Sequence, residues 1–295
     1  MSCKRCKRQQ FLWLLPELPL HALFGGSSMA AVRHRTILIT GSGSGIGLDC
    51  VIALARRGHK VLASTHTEAQ AAKLRERAAA DGAPVEVFKL DITDDADRAK
   101  AGELSIDVLI NNAAIGESGS LTEVPLDRVR SAFETNLFAT LALTQLCLRG
   151  MIARRRGTVI FVSSLAGRVA APFLLPYAMT KFSLSAAADG LHQELRELDR
   201  NVHVSVVEPG AFHTGFNQRM IAKKYEWMRE GSYFQDQIDT LKAREQRMFA
   251  LLELRSTTPI VRKIVQAAEA DRPRFRYSAP WWQSAGVQLM RVFGK

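Results

Sequence analysis

The feature that most constrains this chain is an alternation: from Arg35 onward, short β-branched apolar runs take turns with longer segments of helical period. Runs of four to eight such residues, separated by helices, are the pattern of a parallel sheet covered on both faces, because parallel strands need crossover connections that bury each side. Strands are expected at 36–40, 60–64, 85–90, 107–111, 158–162, 203–207 and 275–277, and helices at 46–57, 68–80, 94–101, 126–153, 177–198 and 259–270. Gly58, Gly82 and Gly157 punctuate strand entries. With 295 residues, 47% of them apolar, there is chain enough for one large domain with a sizeable core.

Charge needs a location before it can mean anything. The net +11 resolves into +3 over residues 1–28, +1 over 29–216 and +7 over 217–295, so the basic excess sits at the two ends. That distribution argues against a nucleic-acid partner for the balanced middle. Four cysteines show no disulfide framework and suit a reducing, cytoplasmic setting. The pair Cys3 and Cys6 has half the spacing of a zinc site, but no second ligand pair follows, and no metal is expected.

Residues 1–28 combine a basic start, a short apolar run and small residues, the outline of a secretory signal. Pro16, Glu17 and Pro19 interrupt the run, which falls short of the roughly 20 residues that span a bilayer. Because Met29 leads almost directly into the first strand, the favoured reading is an extension that is disordered or not translated, with a single domain over 29–295.

Between about 215 and 255 the strand and helix rhythm breaks into polar, aromatic and charged sequence. A helical insertion is expected there, just after the sixth strand, standing as a lid over the crevice at the carboxyl ends of the strands. A helical subdomain packed on its own apolar stripe is the plainer account.

Three local motifs carry chemistry. Thr40-Gly41-Ser42-Gly43-Ser44-Gly45-Ile46-Gly47 leaves a strand and opens a helix, a context in which glycines let the backbone approach a pyrophosphate and free N–H groups stabilise its charge. Tyr177 and Lys181, four apart, share a helix face, where the cation would favour a phenolate and lower the tyrosine pKa toward working pH. Ser164 closes the fifth strand and could hydrogen-bond a substrate oxygen, or simply cap a turn.

With Asn111-Asn112-Ala113-Ala114, Asn136 and the stretch 208–214 added in order, these motifs resemble the short-chain dehydrogenase/reductase family in its single-domain form, over about residues 35–278. Ala114 stands where that family most often has glycine. The resemblance implies a Rossmann-type, doubly wound α/β fold of about seven strands and an oxidoreductase that moves a hydride between a nicotinamide cofactor and an alcohol or ketone. It implies Tyr177 as proton donor or acceptor, Ser164 orienting the substrate, Lys181 lowering the tyrosine pKa and binding the nicotinamide ribose, and Asn136 holding a relay water. For the cofactor it implies Gly41, Ser42, Ser44, Gly45, Ile46 and Gly47 at the phosphates, Thr65, His66, Asp91 and Ile92 toward the adenosine, and Asn112 and Ala113 on the floor. Pro209, Gly210 and Thr214 would serve the nicotinamide. Asp91 as a turn cap and Asn112 as a buried backbone ligand remain open readings.

No carboxylate follows strand two before Glu68, which favours NADP over NAD, with His66 and nearby hydroxyls left to meet a 2′-phosphate. Phe173, Phe212 and Phe216 suggest an apolar substrate pocket like that of the hydroxysteroid and retinol dehydrogenase branch, although core or subunit contact would use the same residues. Homodimers or homotetramers through the helices at 126–153 and 177–198 are implied. The competing class is a catalytically silent, nucleotide-binding regulatory or scaffold protein, against which the intact Asn136, Ser164, Tyr177 and Lys181 set speaks. Trp281, Trp282 and the apolar residues to Phe293 could form an interfacial tail, but a tail packed on the domain or a neighbour is simpler, and no membrane contact is expected.

Overall fold

Parallel pairing dominates the computed structural model, which describes residues 33–229 and 231–294. Among these residues seven strands form one parallel sheet, in the order β3-β2-β1-β4-β5-β6-β7: β1 Thr36–Ile39, β2 Lys60–Thr65, β3 Val85–Lys89, β4 Val108–Asn111, β5 Gly157–Val162, β6 Val202–Pro209 and β7 Arg276–Ala279. The expected extension at 1–28, with Cys3 and Cys6, lies outside the described residues.

Successive strand residues alternate faces, and each face finds its own helices. Ile37 and Ile39 of β1 join Val51 and Leu54 of α1 (Gly45–Arg56) and, from the helix Thr258–Glu269, Ile260 and Ile264 in one core. Leu38 between them points the other way, into a core with Leu143, Met151 and Leu184. The helices between are α2 (Glu68–Ala80), α3 (Asp95–Gly102), α4 (Leu126–Phe133), α5 (Thr140–Ala153) and α6 (Leu175–Glu197). All six residues of β5 are buried, as a strand covered on both faces requires.

Two departures from the sequence reading, and one insertion that it expected, matter for the site. The single helix expected at 126–153 is broken by a π-helical turn, Glu134–Ala139, which carries Asn136. One extra residue per turn re-aims side chains at that point, a device frequent at functional sites. The segment has the length and hydropathy to cross a membrane, yet Leu143, Cys147 and Met151 pack on the sheet as a core stripe.

The insertion forms α7 (Phe216–Trp227) and α8 (Ile238–Leu252), joined through the 3-10 turn Gln235–Gln237, and α9 (Thr258–Glu269) then resumes the layer. Last, the stretch read as a tail is a helix, α10 (Trp281–Phe293). Gly210 allows its approach: a Cβ there would fall 2.0 Å from Gln283 Oε1, which instead accepts from the Ala211 amide at 2.8 Å.

Candidate active site

Strand order reverses between β1 and β4, so their connections leave in opposite directions and open a crevice beyond the strand ends. A cavity of about 890 Å³ lies there, reaching from the glycine turn to α10.

The turn at one end is built by backbone. Gly41 and Gly45 adopt φ of +66° and +57°, the left-handed region that glycine enters without penalty. Gly47 packs so closely that a Cβ would lie 2.5 Å from both Gly41 O and Asn112 Nδ2. Asn112 clamps the turn by donating to Thr40 O at 3.0 Å and Gly41 O at 2.9 Å, while the Thr40 hydroxyl accepts from the amides of Asn112 and Ala113. Asn112 is therefore a turn clamp as well as a cavity residue. At the start of α1, Ser44 makes no side-chain cap and the first turn holds no acidic residue. Uncapped N–H groups at a helix start whose first turn holds no carboxylate are suited to a phosphate.

Ser44, Ile46, Ala113, Asp91, Ile92 and His66 line the same cavity. Ser42 and Thr65, expected at the nucleotide, are buried behind it: Ser42 Oγ donates to Ile39 O at 3.0 Å and Thr65 Oγ1 to Thr67 O at 3.0 Å. Asp91 accepts from the Thr93 amide and hydroxyl at 2.9 and 2.7 Å and pairs with His66 at 3.2 Å. Burial pushes the Asp91 carboxyl up, but those hydrogen bonds and the imidazole outweigh it, and it stays ionised below the usual range.

At the other end Ser164, Tyr177 and Lys181 come together. The Tyr177 ring packs on Phe216 with centroids 5.5 Å apart, and Ser164 Oγ accepts from the Ala166 amide at 3.1 Å. Lys181 is buried, donates to Val162 O at 2.9 Å, and has Nζ 5.7 Å from the centroid of the Tyr177 ring. Burial dominates both titrations. It pushes the Tyr177 phenol up, against the smaller downward pull of Ser164, and brings the Lys181 ammonium down to about 8. The depressed tyrosine pKa expected from sequence is thus reversed here, because desolvation exceeds the help of a cation that bonds a carbonyl instead of the phenol.

Asn136 sits beside this group with its carboxamide fully engaged. Its Oδ1 accepts from the Ile115 amide at 2.8 Å, and its Nδ2 donates to Ile115 O at 2.9 Å and to Thr180 Oγ1 at 3.0 Å. It ties the loop after β4 to α6.

Thr214, Pro209 and Gly210 line the cavity beside Phe212 and Phe216. Phe173 does not; its ring meets Phe234 edge-on at 5.0 Å, beneath the Lys224 ammonium. Sequence reasoning missed Leu174, Met220, Phe249 and, above all, Gln283, Val287 and Met290 of α10, whose spacing of four and then three was the available helical signal.

The family model for short chain dehydrogenase matches residues 35–225. The chain belongs to the short-chain dehydrogenase family. Member 7B of the dehydrogenase/reductase SDR family from Bos taurus is 34% identical over 218 residues, 68% of this chain and 66% of that protein. Retinol dehydrogenase 8 from Homo sapiens is 34% identical over 202 residues, 65% of this chain and 64% of that one. The chain thus spans about two thirds of the length of the curated relatives it matches. Among solved structures, a short-chain dehydrogenase/reductase from Burkholderia phymatum in complex with NAD shares the fold with a TM-score of 0.75, at 22% identity and covering 88% of this chain and 94% of that one. A gluconate 5-dehydrogenase from Burkholderia cenocepacia, in complex with NADP and tartrate, reaches 0.57 at 28% identity, over 66% of this chain and 78% of that one.

Proposed function

We propose that this chain is an NAD(P)-dependent oxidoreductase that interconverts an apolar alcohol and its carbonyl compound, with Tyr177 as the general acid or base. The observation that carries the reading is the convergence of an uncapped glycine turn and the Ser164, Tyr177 and Lys181 group on one cavity. Each end without the other would be a phosphate cradle or a buried tyrosine; together they place a proton-transfer group within reach of a bound dinucleotide.

When bound, the nicotinamide supplies the hydride chemistry. Backbone amides at Gly43 to Gly47 would hold its phosphates, and Asp91, Ile92 and His66 its adenosine side. Ser164 orients the substrate oxygen, and the Tyr177 hydroxyl, protonated at neutral pH by its burial, is set to donate to that oxygen as charge develops there. Lys181, still largely ammonium at neutral pH, stabilises the phenolate that donation leaves.

Three finer readings follow from particular residues. NADP is favoured over NAD because Thr65, His66 and Thr67 offer no carboxylate to repel a 2′-phosphate, and His66 can meet it. An apolar substrate is favoured by Phe212, Phe216, Met220 and Val287. A homodimer or homotetramer is favoured by Leu126, Phe138 and Phe182, large apolar side chains exposed on the segment of α4, the π turn and α6; a mass of one chain by light scattering would overturn it.

Nucleotide oxidation with a panel of apolar ketones tests the core claim. Tyr177→Phe is expected to lower kcat by about a hundredfold or more while leaving nucleotide affinity in place, and the parent is expected to prefer NADPH to NADH. Equal turnover by parent and variant would sink the catalytic reading, and a preference for NADH would sink the cofactor assignment alone.

A further inference from the structure

Both faces of α10 are apolar, and only one is used by the fold. Val287 is buried and, with Gln283 and Met290, lines the cavity. On the opposite side, at 100° per residue, Trp281, Ala285, Leu289 and Val292 form one stripe with Trp282 and Phe293 along its edge. That stripe faces solvent: Trp281 is 79% exposed, Val292 63% and Phe293 81%. Apart from the exposed Gln288 at its edge this side is apolar, which is costly to leave uncovered and marks a surface that meets something apolar.

The stripe runs into the mouth of the cavity. Trp282 and Met290 line that cavity and are exposed as well, and so is Met248 of α8, with Leu251 beyond it 82% exposed. The two helices meet there, where Gln283 Nε2 donates to Leu252 O at 2.8 Å. The result is a continuous apolar rim around one side of the opening.

Charge around this rim is predominantly basic. After Asp271 the chain carries five Lys and Arg and no Asp or Glu. Arg276 and Arg168 converge on the buried Glu208 carboxylate, Arg168 also donating to Gln288 of α10 at 3.0 Å. Burial lowers the Arg168 pKa; Glu208 opposes that, and Arg276 and Arg291 add to it, so one carboxylate faces three guanidiniums. On α8, Arg244 and Arg247 are exposed at a spacing of four from Met248 and Leu251.

We propose that the outer face of α10, with the end of α8, docks on an anionic lipid surface, so that the cavity opens toward the acyl region. Two tryptophans beside arginines suit the interface between headgroup and hydrocarbon. A second copy on the same stripe would bring two basic surfaces together and cover the cavity mouth. This proposal departs from the sequence expectation of no membrane contact, because the tail's apolar residues divide between inner and outer faces instead of all packing inward. Docking stands without the redox reading; only the entry of an apolar substrate from the bilayer rests on it.

Flotation of the full chain with phosphatidylcholine vesicles, with and without phosphatidylglycerol, tests the proposal, and needs neither nucleotide nor turnover. The parent is expected to float with the anionic vesicles, more weakly with phosphatidylcholine alone, and less as salt is raised. Leu289→Ser with Phe293→Ser, both outside the cavity, should lower partitioning on the order of tenfold or more with circular dichroism and nucleotide binding retained. If that variant folds poorly, Arg291→Glu supplies the second test and should weaken only the anionic component. A parent that stays with the pellet, variants that float like the parent, or a dimer that the double serine variant dissociates without lipid would each overturn it.

Discussion

The two ends of the cavity are held by different means. The glycine turn is fixed by backbone: its shape comes from positive φ at Gly41 and Gly45, a missing side chain at Gly47, and two bonds from Asn112. The covering helices are fixed by side chains. Lys224, 2% exposed, pairs with Glu245, which also accepts from the Tyr225 hydroxyl at 3.0 Å; Glu253 accepts from Asn217 and Gln218 at 2.8 Å each. A phosphate needs only N–H groups at a fixed spacing, which any backbone supplies, whereas an apolar substrate is recognised by shape, which only side chains supply. Substitutions should therefore separate the two ends.

The largest expected effect lies in the cover. Glu245→Ala strands the buried Lys224 ammonium and should cost about 3 kcal/mol at pH 7. Burial already lowers the Lys224 pKa, against the pull of Glu245, so without that partner the folded state binds fewer protons than the unfolded one. The loss should shrink as pH rises toward the unfolded lysine value. Urea unfolding at pH 7 and pH 9 would show it, and nucleotide affinity should barely move; an equal loss at both pH values would mean that packing alone is involved.

In the cradle, Gly47→Val forces a side chain against Gly41 O and Asn112, an overpacking worth roughly 2 kcal/mol. It should appear as weaker nucleotide binding by titration calorimetry while the Lys224 and Glu245 pair keeps the cover in place. Full affinity in that variant would show that the turn yields easily and that the comparison overstates its rigidity.

The smallest effect is one of pH. On the proposed reading reduction uses the Tyr177 phenol and the Lys181 ammonium together, and burial brings the lysine to about 8. The ammonium is present below that value and lost above it, so the reductive rate should fall as pH passes about 8, by about tenfold one unit further, equivalent to roughly 1.4 kcal/mol. Lys181→Arg, which keeps its charge, should remove that limb from the profile, and a limb unmoved by the substitution would assign it to another group.

Much of this was legible from residue order. Short β-branched apolar runs between helical segments announced the parallel sheet, and the seven strands fall within two residues of the positions expected for them. The glycine turn and the Tyr177 and Lys181 pair were readable because their chemistry depends on neighbours in sequence. Asn136 was found as a residue but not as a device: the π turn that aims it is a property of packing, with no composition signal of its own. Ser42 and Thr65 were read as facing the nucleotide, but their hydroxyls turn to the backbone carbonyls of Ile39 and Thr67, an orientation that residue order does not set.

What sequence alone determined is therefore local: which segments pair as strands, where the backbone can turn without a side chain, and which proton-bearing groups share a helix face. The tertiary structure decided what burial and distance control. Desolvation reversed the direction of the Tyr177 pKa, since the cost of a buried phenolate depends on everything around it. It also turned a supposed tail into α10, whose inner residues close the cavity and whose outer ones face solvent, a division that no residue list contains because it exists only once Gln283 has found Ala211 across seventy-two positions of chain.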